Sequence, residues 1–296
     1  MRVFVTGATG FVGSVTVQEL ISAGHKVLGL ARSDDSAASL AAAGADVQRG
    51  SLEDLDSLAA GAKACDGVIH TAFIHDFSKF EENCEIDRRA IEALGTALAG
   101  SNRPLIVTSG VALLAQGRPA TEDDMIPARS GFPRVSEQTG FAMAKHGIRA
   151  MALRLPPSTH GKGDHGFVPI LINIAREKGV SAYVGDGLNR WPATHRLDAA
   201  RVYRLALEKG ETGACYHAIA EEGVPFKTIA EVIGRRLNIP VVGLSQEEAS
   251  DHFGWFARFA GIDAAASSER TRQFLGWEPK QPGLIDDLDQ TYYFDA

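Results

Sequence analysis

Three glycines spaced three apart, Gly7, Gly10 and Gly13, stand in the run Thr6-Gly7-Ala8-Thr9-Gly10-Phe11-Val12-Gly13, directly after an apolar stretch. In a strand–turn–helix setting this pattern binds the pyrophosphate of a dinucleotide. The first Gly makes the tight turn, the second lets the backbone approach the phosphates, and the third packs helix closely on strand. The helix N-terminus then supplies N–H donors and partial positive charge. About 20 residues on, where an acidic residue commonly reads the ribose 2′-OH, the sequence has Leu28-Gly29-Leu30-Ala31-Arg32-Ser33. Arg32 suits a 2′-phosphate through a charge-assisted pair. The alternative is that Arg32 is a solvated strand-end charge and Asp34 or Asp35 reads the ribose. NADP(H) is therefore expected ahead of NAD(H).

The elements that must position such a site follow from the apolar runs. Residues 2–6, 26–31, 46–49, 67–71, 104–109 and 149–155 lack polar alternation, as strands do when both sheet faces are covered. Between them, 11–23 and 86–99 carry helical periodicity, with Gly24 as a stop after the first. Beyond Pro156-Pro157 the pattern predicts a helix over 167–178, a glycine turn at 184–187, a helix N-capped by Asp198, a strand over 214–219, and a mostly helical remainder from 225. The expected fold is α/β: a doubly wound parallel sheet of Rossmann type with a smaller, mostly helical C-terminal substrate lobe. Its expected division is a dinucleotide-binding lobe over 1–156, to which 197–220 return, and a substrate lobe over 157–196 and 221–296.

Composition narrows the ligand. Of 296 residues, 30 are basic and 37 acidic, a formal net charge of −7 that disfavours nucleic acid or an anionic membrane as partner. Cys65, Cys84 and Cys215 form no CxxC, which argues against a disulfide framework or zinc ribbon. The N-terminal apolar run is too short for a secretory signal, and no run approaches a membrane span. A cytoplasmic protein with a small-molecule substrate is expected.

The chain resembles the extended or atypical short-chain dehydrogenases/reductases, the NAD-dependent epimerase/dehydratase group. The resemblance rests on an ordered series: the glycine turn, Val68-Ile69-His70-Thr71-Ala72, Ile106-Val107-Thr108-Ser109, Arg154-Leu155-Pro156, Gly185-Asp186-Gly187, His195-Arg196-Leu197-Asp198 and Leu275-Gly276-Trp277-Glu278-Pro279. It implies cofactor contacts from Gly7, Thr9, Gly10, Phe11, Val12 and Arg32. It adds adenine contacts from Ser51 and Leu52, backbone contacts near the ribose from Thr71, Ala72 and Phe73, and nicotinamide contacts from Thr108 and Pro156. It also suggests a homodimer built on helices over 86–99 and 134–145.

Chemistry is where the sequence departs from that group. The group's catalytic YxxxK should follow Ser109, yet Tyr183, Tyr203, Tyr216, Tyr292 and Tyr293 all lie beyond Arg154. Counting back from Glu137, matched to the usual acidic residue, puts Arg129 at the Tyr position and Pro133 at the Lys position. Arginine cannot lend a proton near neutrality, but it can stabilise an oxyanion by charge. Ser109 is expected to polarise a substrate oxygen, against the alternative of a strand-ending Ser bonded to backbone. The resemblance puts His75, His160, His165 and His195 on loops near the pocket. His75, beside Asp76, is the candidate proton carrier. None of the four has the spacing that puts two ligands on one helix face, so no metal is expected. Residues 189–196 read as a loop able to face a polar substrate, and the aromatic run over 251–259 as core, interface or an apolar pocket wall.

An NADP(H)-dependent oxidoreductase acting on a carbonyl or hydroxyl is the leading expectation. A non-catalytic NADP(H)-sensing regulator and a nucleotide-sugar epimerase or dehydratase are the alternatives.

Overall fold

The computed structural model describes residues 1–112, 114, 117–126 and 131–295, with residue 77 by its backbone alone. Seven parallel strands form the main sheet: β1 (Arg2–Thr6), β2 (Lys26–Ala31), β3 (Asp46–Arg49), β4 (Gly67–His70), β5 (Pro104–Gly110), β6 (Arg149–Leu155) and β10 (Cys215–His217). Their order is β10-β6-β5-β4-β1-β2-β3. The chain runs outward in opposite directions from β1 and β4, so a crevice opens beyond their carboxyl ends, where doubly wound sheets bind ligands.

The period-two alternation of strands sorts the core into two layers. Val3, Val5, Ile69, Ile106 and Leu153 pack under α1 (Phe11–Ser22) and α7 (Arg196–Lys209), whereas Phe4, Val68 and Val107 pack under α3 (Leu55–Lys63), α4 (Phe80–Leu98) and α5 (Ser136–Met143). Helix α2 (Asp34–Ala42), capped by the Ser33 hydroxyl, links β2 to β3. The expected strands and first helix are present within a residue or two. The helix expected over 86–99 starts earlier, at Phe80, and the strand expected over 214–219 is shorter.

The remaining elements are β7 (Ser158–His160), α6 (Phe167–Lys178), β8 (Ser181–Val184), β9 (Arg190–His195), β11 (Glu221–Pro225), α8 (Phe226–Leu237), β12 (Val241–Leu244), α9 (Gln246–Phe253), α10 (Ala257–Ala260), α11 (Glu269–Leu275) and α12 (Leu284–Leu288). Except for α11, whose Leu275 packs into the core under α7, they surround a separate apolar cluster. Two expectations are corrected here. The segment 189–196 is not a loop: Arg190–His195 is the middle strand of a three-stranded sheet, and Trp191 is fully buried against Phe167, Phe226 and Phe256. Helix α7 begins at Arg196 with the His195 ring as its cap, accepting from the Leu197 N–H. Asp198 instead accepts the backbone N–H groups of Lys280 and Gln281 at 3.0 and 2.9 Å, tying the C-terminal segment down. The aromatic run is mainly core, with Phe253 and Phe256 buried and Trp255 exposed.

Candidate functional site

The glycine turn has the form a diphosphate needs. Gly7 has φ +66°, and a Cβ there would lie 2.7 Å from the Ala72 nitrogen; a Cβ on Gly13 would lie 2.0 Å from the Gly7 carbonyl oxygen. Both positions therefore exclude any side chain. Gly10 caps α1 with no side-chain acceptor, and the first turn carries no acidic residue, so its N–H groups face outward unneutralised. Thr71, donating to the Thr6 carbonyl at 2.7 Å, locks the end of β4 against this turn and sets Ala72 beside it. Across the crevice Arg196 lies 4.9 Å above the Phe11 ring, and His165 meets the same ring edge-on at 5.7 Å.

At the other end of the crevice, Arg32 is exposed just past β2, and Ser51 and Leu52 follow β3. One oxygen of the exposed Asp34 carboxylate accepts from Arg49, which is paired in register with Ala31 and also donates to the Ser33 carbonyl. Arg49 is a second basic group at this end that sequence reasoning overlooked.

The ends of β4 and β5 carry the candidate reaction centre. Thr108 and Ser109 fall at successive positions of β5, in register with Leu153 and Arg154 of β6, so they face opposite sides of the sheet. The Thr108 hydroxyl donates to the His70 carbonyl and lies 2.7 Å from the Tyr203 hydroxyl. Tyr203 is thus the tyrosine that approaches Thr108, but from the α7 side, fully buried, with burial pushing its pKa far up. It cannot replace the missing proton donor.

On the opposite side Arg134 takes the central place. Its Nη2 donates to the Thr108 carbonyl at 3.2 Å, its Nε donates to the Ser136 hydroxyl at 3.0 Å, and its guanidinium lies 4.2 Å over the Phe73 ring. Ser136 in turn donates to Asp87 at 2.5 Å, and the other Asp87 oxygen meets His70 Nε2 at 3.0 Å. The second ring nitrogen of His70 lies 2.7 Å from the Thr6 hydroxyl. Burial pushes the Asp87 carboxyl up, but His70, Arg134 and Ser136 together hold it below the usual range. A buried carboxylate therefore orients Arg134 through one hydroxyl.

The helix expected over 134–145 starts only at Ser136, which explains this placement. Pro133 disfavours a helical Phe132 and cannot donate to the preceding turn, so the chain before Ser136 is not helical and Arg134 swings onto β5. Counting back from Glu137 did not single out Arg134. Arg129 lies outside the described residues. His75 is near the site, with burial, Arg134 and His165 lowering its pKa, and its ring stands 5.3 Å from Phe73. Asp76 does not orient it: that carboxylate accepts the Ser78 N–H and hydroxyl.

A further histidine belongs to a buried network. His160 Nδ1 lies 2.8 Å from Asp287, and the Tyr293 hydroxyl accepts the Gly161 N–H while lying 3.3 Å from Asp287 and 3.2 Å from Asp164. Among the described residues, no group of three or more His, Cys, Asp or Glu is arranged to hold a metal ion. No helix among them is long and apolar enough to cross a membrane.

Comparison with known proteins agrees with this architecture. Residues 3–220 match the NAD dependent epimerase/dehydratase family. An uncharacterized protein of Schizosaccharomyces pombe is 53% identical over 295 residues, covering 99% of this chain and 100% of the relative. The 4-hydroxy-2-methyl-3-oxo-4-farnesyl-3,4-dihydroquinoline-1-oxide ketoreductase of Stigmatella aurantiaca is 27% identical, covering 86% of this chain and 80% of the relative. Among solved structures, dTDP-glucose 4,6-dehydratase from Streptomyces venezuelae superposes with a TM-score of 0.78 at 19% identity, covering 100% of this chain and 97% of that one. The fold and the glycine turn define a Rossmann-type nucleotide-binding protein. The chain belongs to the NAD dependent epimerase/dehydratase family.

Proposed function

We propose that this protein is an NADP(H)-dependent oxidoreductase acting on a carbonyl or hydroxyl of a small organic molecule. The observation that carries the reading is the cradle at Gly7, Gly10 and Gly13, which any Cβ would fill and which faces the uncapped start of α1. The preference for NADP(H) is supported by exposed Arg32 at the end of β2, with Arg49 at the end of the neighbouring β3. The ketoreductase relative supports reduction of a ketone, while UDP-glucose 4-epimerase of Corynebacterium glutamicum, 24% identical, keeps sugar epimerisation as the second reading.

In this reading Gly7, Thr9, Gly10, Phe11, Val12 and Gly13 bind the diphosphate, with Ser51 and Leu52 at the adenine. Thr71, Ala72, Phe73, Thr108 and Pro156 line the nicotinamide half. Bound NADPH supplies the hydride. Ser109 holds the substrate oxygen and Arg134 sets positive charge beside it, worth most in a site that excludes water. With no phenol on this side of β5 among the described residues, the proton comes from water or from His75. The lobe division proposed above places the substrate between the sheet crevice and residues 157–196 and 221–296.

Titration with NADPH and NADH, followed by nicotinamide fluorescence, tests the cofactor. NADPH oxidation across a panel of aldehydes and ketones tests the reaction. Tight NADPH binding with no turnover on any carbonyl would instead favour a cofactor-sensing regulator, the reading that the missing Tyr and Lys support.

A further inference from the structure

The surroundings of Arg134 point to a class of substrate. Phe73 stacks on the guanidinium, Phe80 stands 6.1 Å from Phe73, and Phe132 stands 5.4 Å from Phe80. All three rings are only partly buried, so an apolar wall faces outward around one cation. That cation is anchored by Nε and Nη2, while its Nη1 donates to none of the described residues. Asp87, which feels its charge, is occupied by His70 and Ser136. A guanidinium held rigid at two nitrogens with a third left over is preorganised for an anionic oxygen. Rings of this kind take alkyl or aryl surface.

We propose that the pocket beyond β4 and β5 takes an apolar carbonyl or hydroxyl compound bearing a carboxylate, which Arg134 Nη1 binds while Phe73, Phe80 and Phe132 cover the hydrocarbon. This rests on the oxidoreductase reading and names its substrate class.

The test uses the NADP⁺-saturated protein and calorimetric titration with 3-hydroxydecanoate, its methyl ester and 3-hydroxyhexanoate. The acid is expected to bind about tenfold or more tightly than the ester. R134M should abolish that preference, and R134K should restore part of it. The ten-carbon acid should bind more tightly than the six-carbon acid, and F132A should shrink the difference. Equal binding of acid and ester by the wild type, or an unchanged preference in R134M, overturns the proposal. So does UDP-glucose binding more tightly than either. Because NADP⁺ affinity is measured first, failure of the wild type to bind NADP⁺ overturns the oxidoreductase reading itself and is distinguished from these outcomes.

Discussion

Arg134 donates from Nη2 to the carbonyl of Thr108 at 3.2 Å, so a cation from the loop before α5 is pinned to the tip of β5, one residue from Ser109. Backbone–side-chain bonds of this kind leave little freedom to the guanidinium, and the Ser136–Asp87 pair removes more. Charge that is already oriented costs nothing to reorganise when an oxyanion forms.

Ser109 is proposed to share the polarising role. Replacing it with Ala should lower turnover about 10²- to 10³-fold on the carbonyl that the NADPH-oxidation panel identifies, the usual cost of deleting one oxyanion donor. NADP⁺ affinity should not move. Steady-state kinetics beside a fluorescence titration measure both, and a parallel loss of binding would return Ser109 to a purely structural role.

The turn makes a stricter demand. A methyl group on Gly13 would sit 2.0 Å from the Gly7 oxygen, and backbone rather than a pliant side chain must yield. Gly13→Ala is expected to destabilise the fold by about 1–3 kcal/mol through overpacking and to weaken NADP⁺ binding sharply. A thermal melt run alongside the titration separates the two effects.

Arg32 is proposed to read the 2′-phosphate. Arg32→Ala should reduce NADP⁺ affinity about tenfold or more, the worth of a charge-assisted hydrogen bond, and leave NAD⁺ affinity unchanged. Equal losses for both cofactors would show that Arg32 does not face the 2′-position, and Arg49 would then be the residue to vary.

The glycine turn was legible in the sequence because its requirement is local: strand, turn and helix lie within residues 2–22, and spacing alone sets the geometry. The strands were legible because burial on both faces leaves continuous apolar runs. Arg134 was not, since its position depends on Pro133 cutting short a helix that periodicity continues, and on a carbonyl 26 residues away in sequence. The strand at 190–195 was missed for a related reason. Trp191 beside two arginines reads as a polar loop until Phe167, Phe226 and Phe256 from distant segments close around it. A cation directly after Pro133 is the one signal in the sequence that could have found Arg134.

Glu137 tests the support beneath the site. Both of its oxygens accept from buried Arg154, at 2.8 and 2.5 Å, and Arg154 also meets His217 at 3.2 Å. Glu137→Gln leaves a buried guanidinium without its counter-charge, and the expected loss is about 3–5 kcal/mol of stability. Urea denaturation measures it. Removing both charges together in E137L/R154L should cost less than the single change, because no unpaired ion then remains.

Asp164 gives a stability that depends on pH in the direction opposite to most carboxylates. Burial lifts its pKa from 3.8 to about 6, against the pull of the Gly166 N–H and the Tyr293 hydroxyl. The hydrogen-bond arithmetic agrees. Tyr293 has one proton and faces two carboxylates, Asp164 and Asp287, while its oxygen already accepts from Gly161; a protonated Asp164 that donates to it resolves the conflict. The folded protein thus holds this proton more tightly than the unfolded chain does. Stability from this group is fully present below about pH 4, declines as pH rises through about 6, and stays at its lower level above. Asp164→Asn keeps an acceptor for Gly166 and cannot ionise. It should therefore raise stability at pH 7.5 by up to about 2 kcal/mol, change little at pH 4, and flatten the profile between. Urea midpoints of wild type and variant at pH 4, 5, 6 and 7.5 measure the difference, and a variant that is less stable at pH 7.5 would show that the Asp164 carboxylate is favoured in the fold.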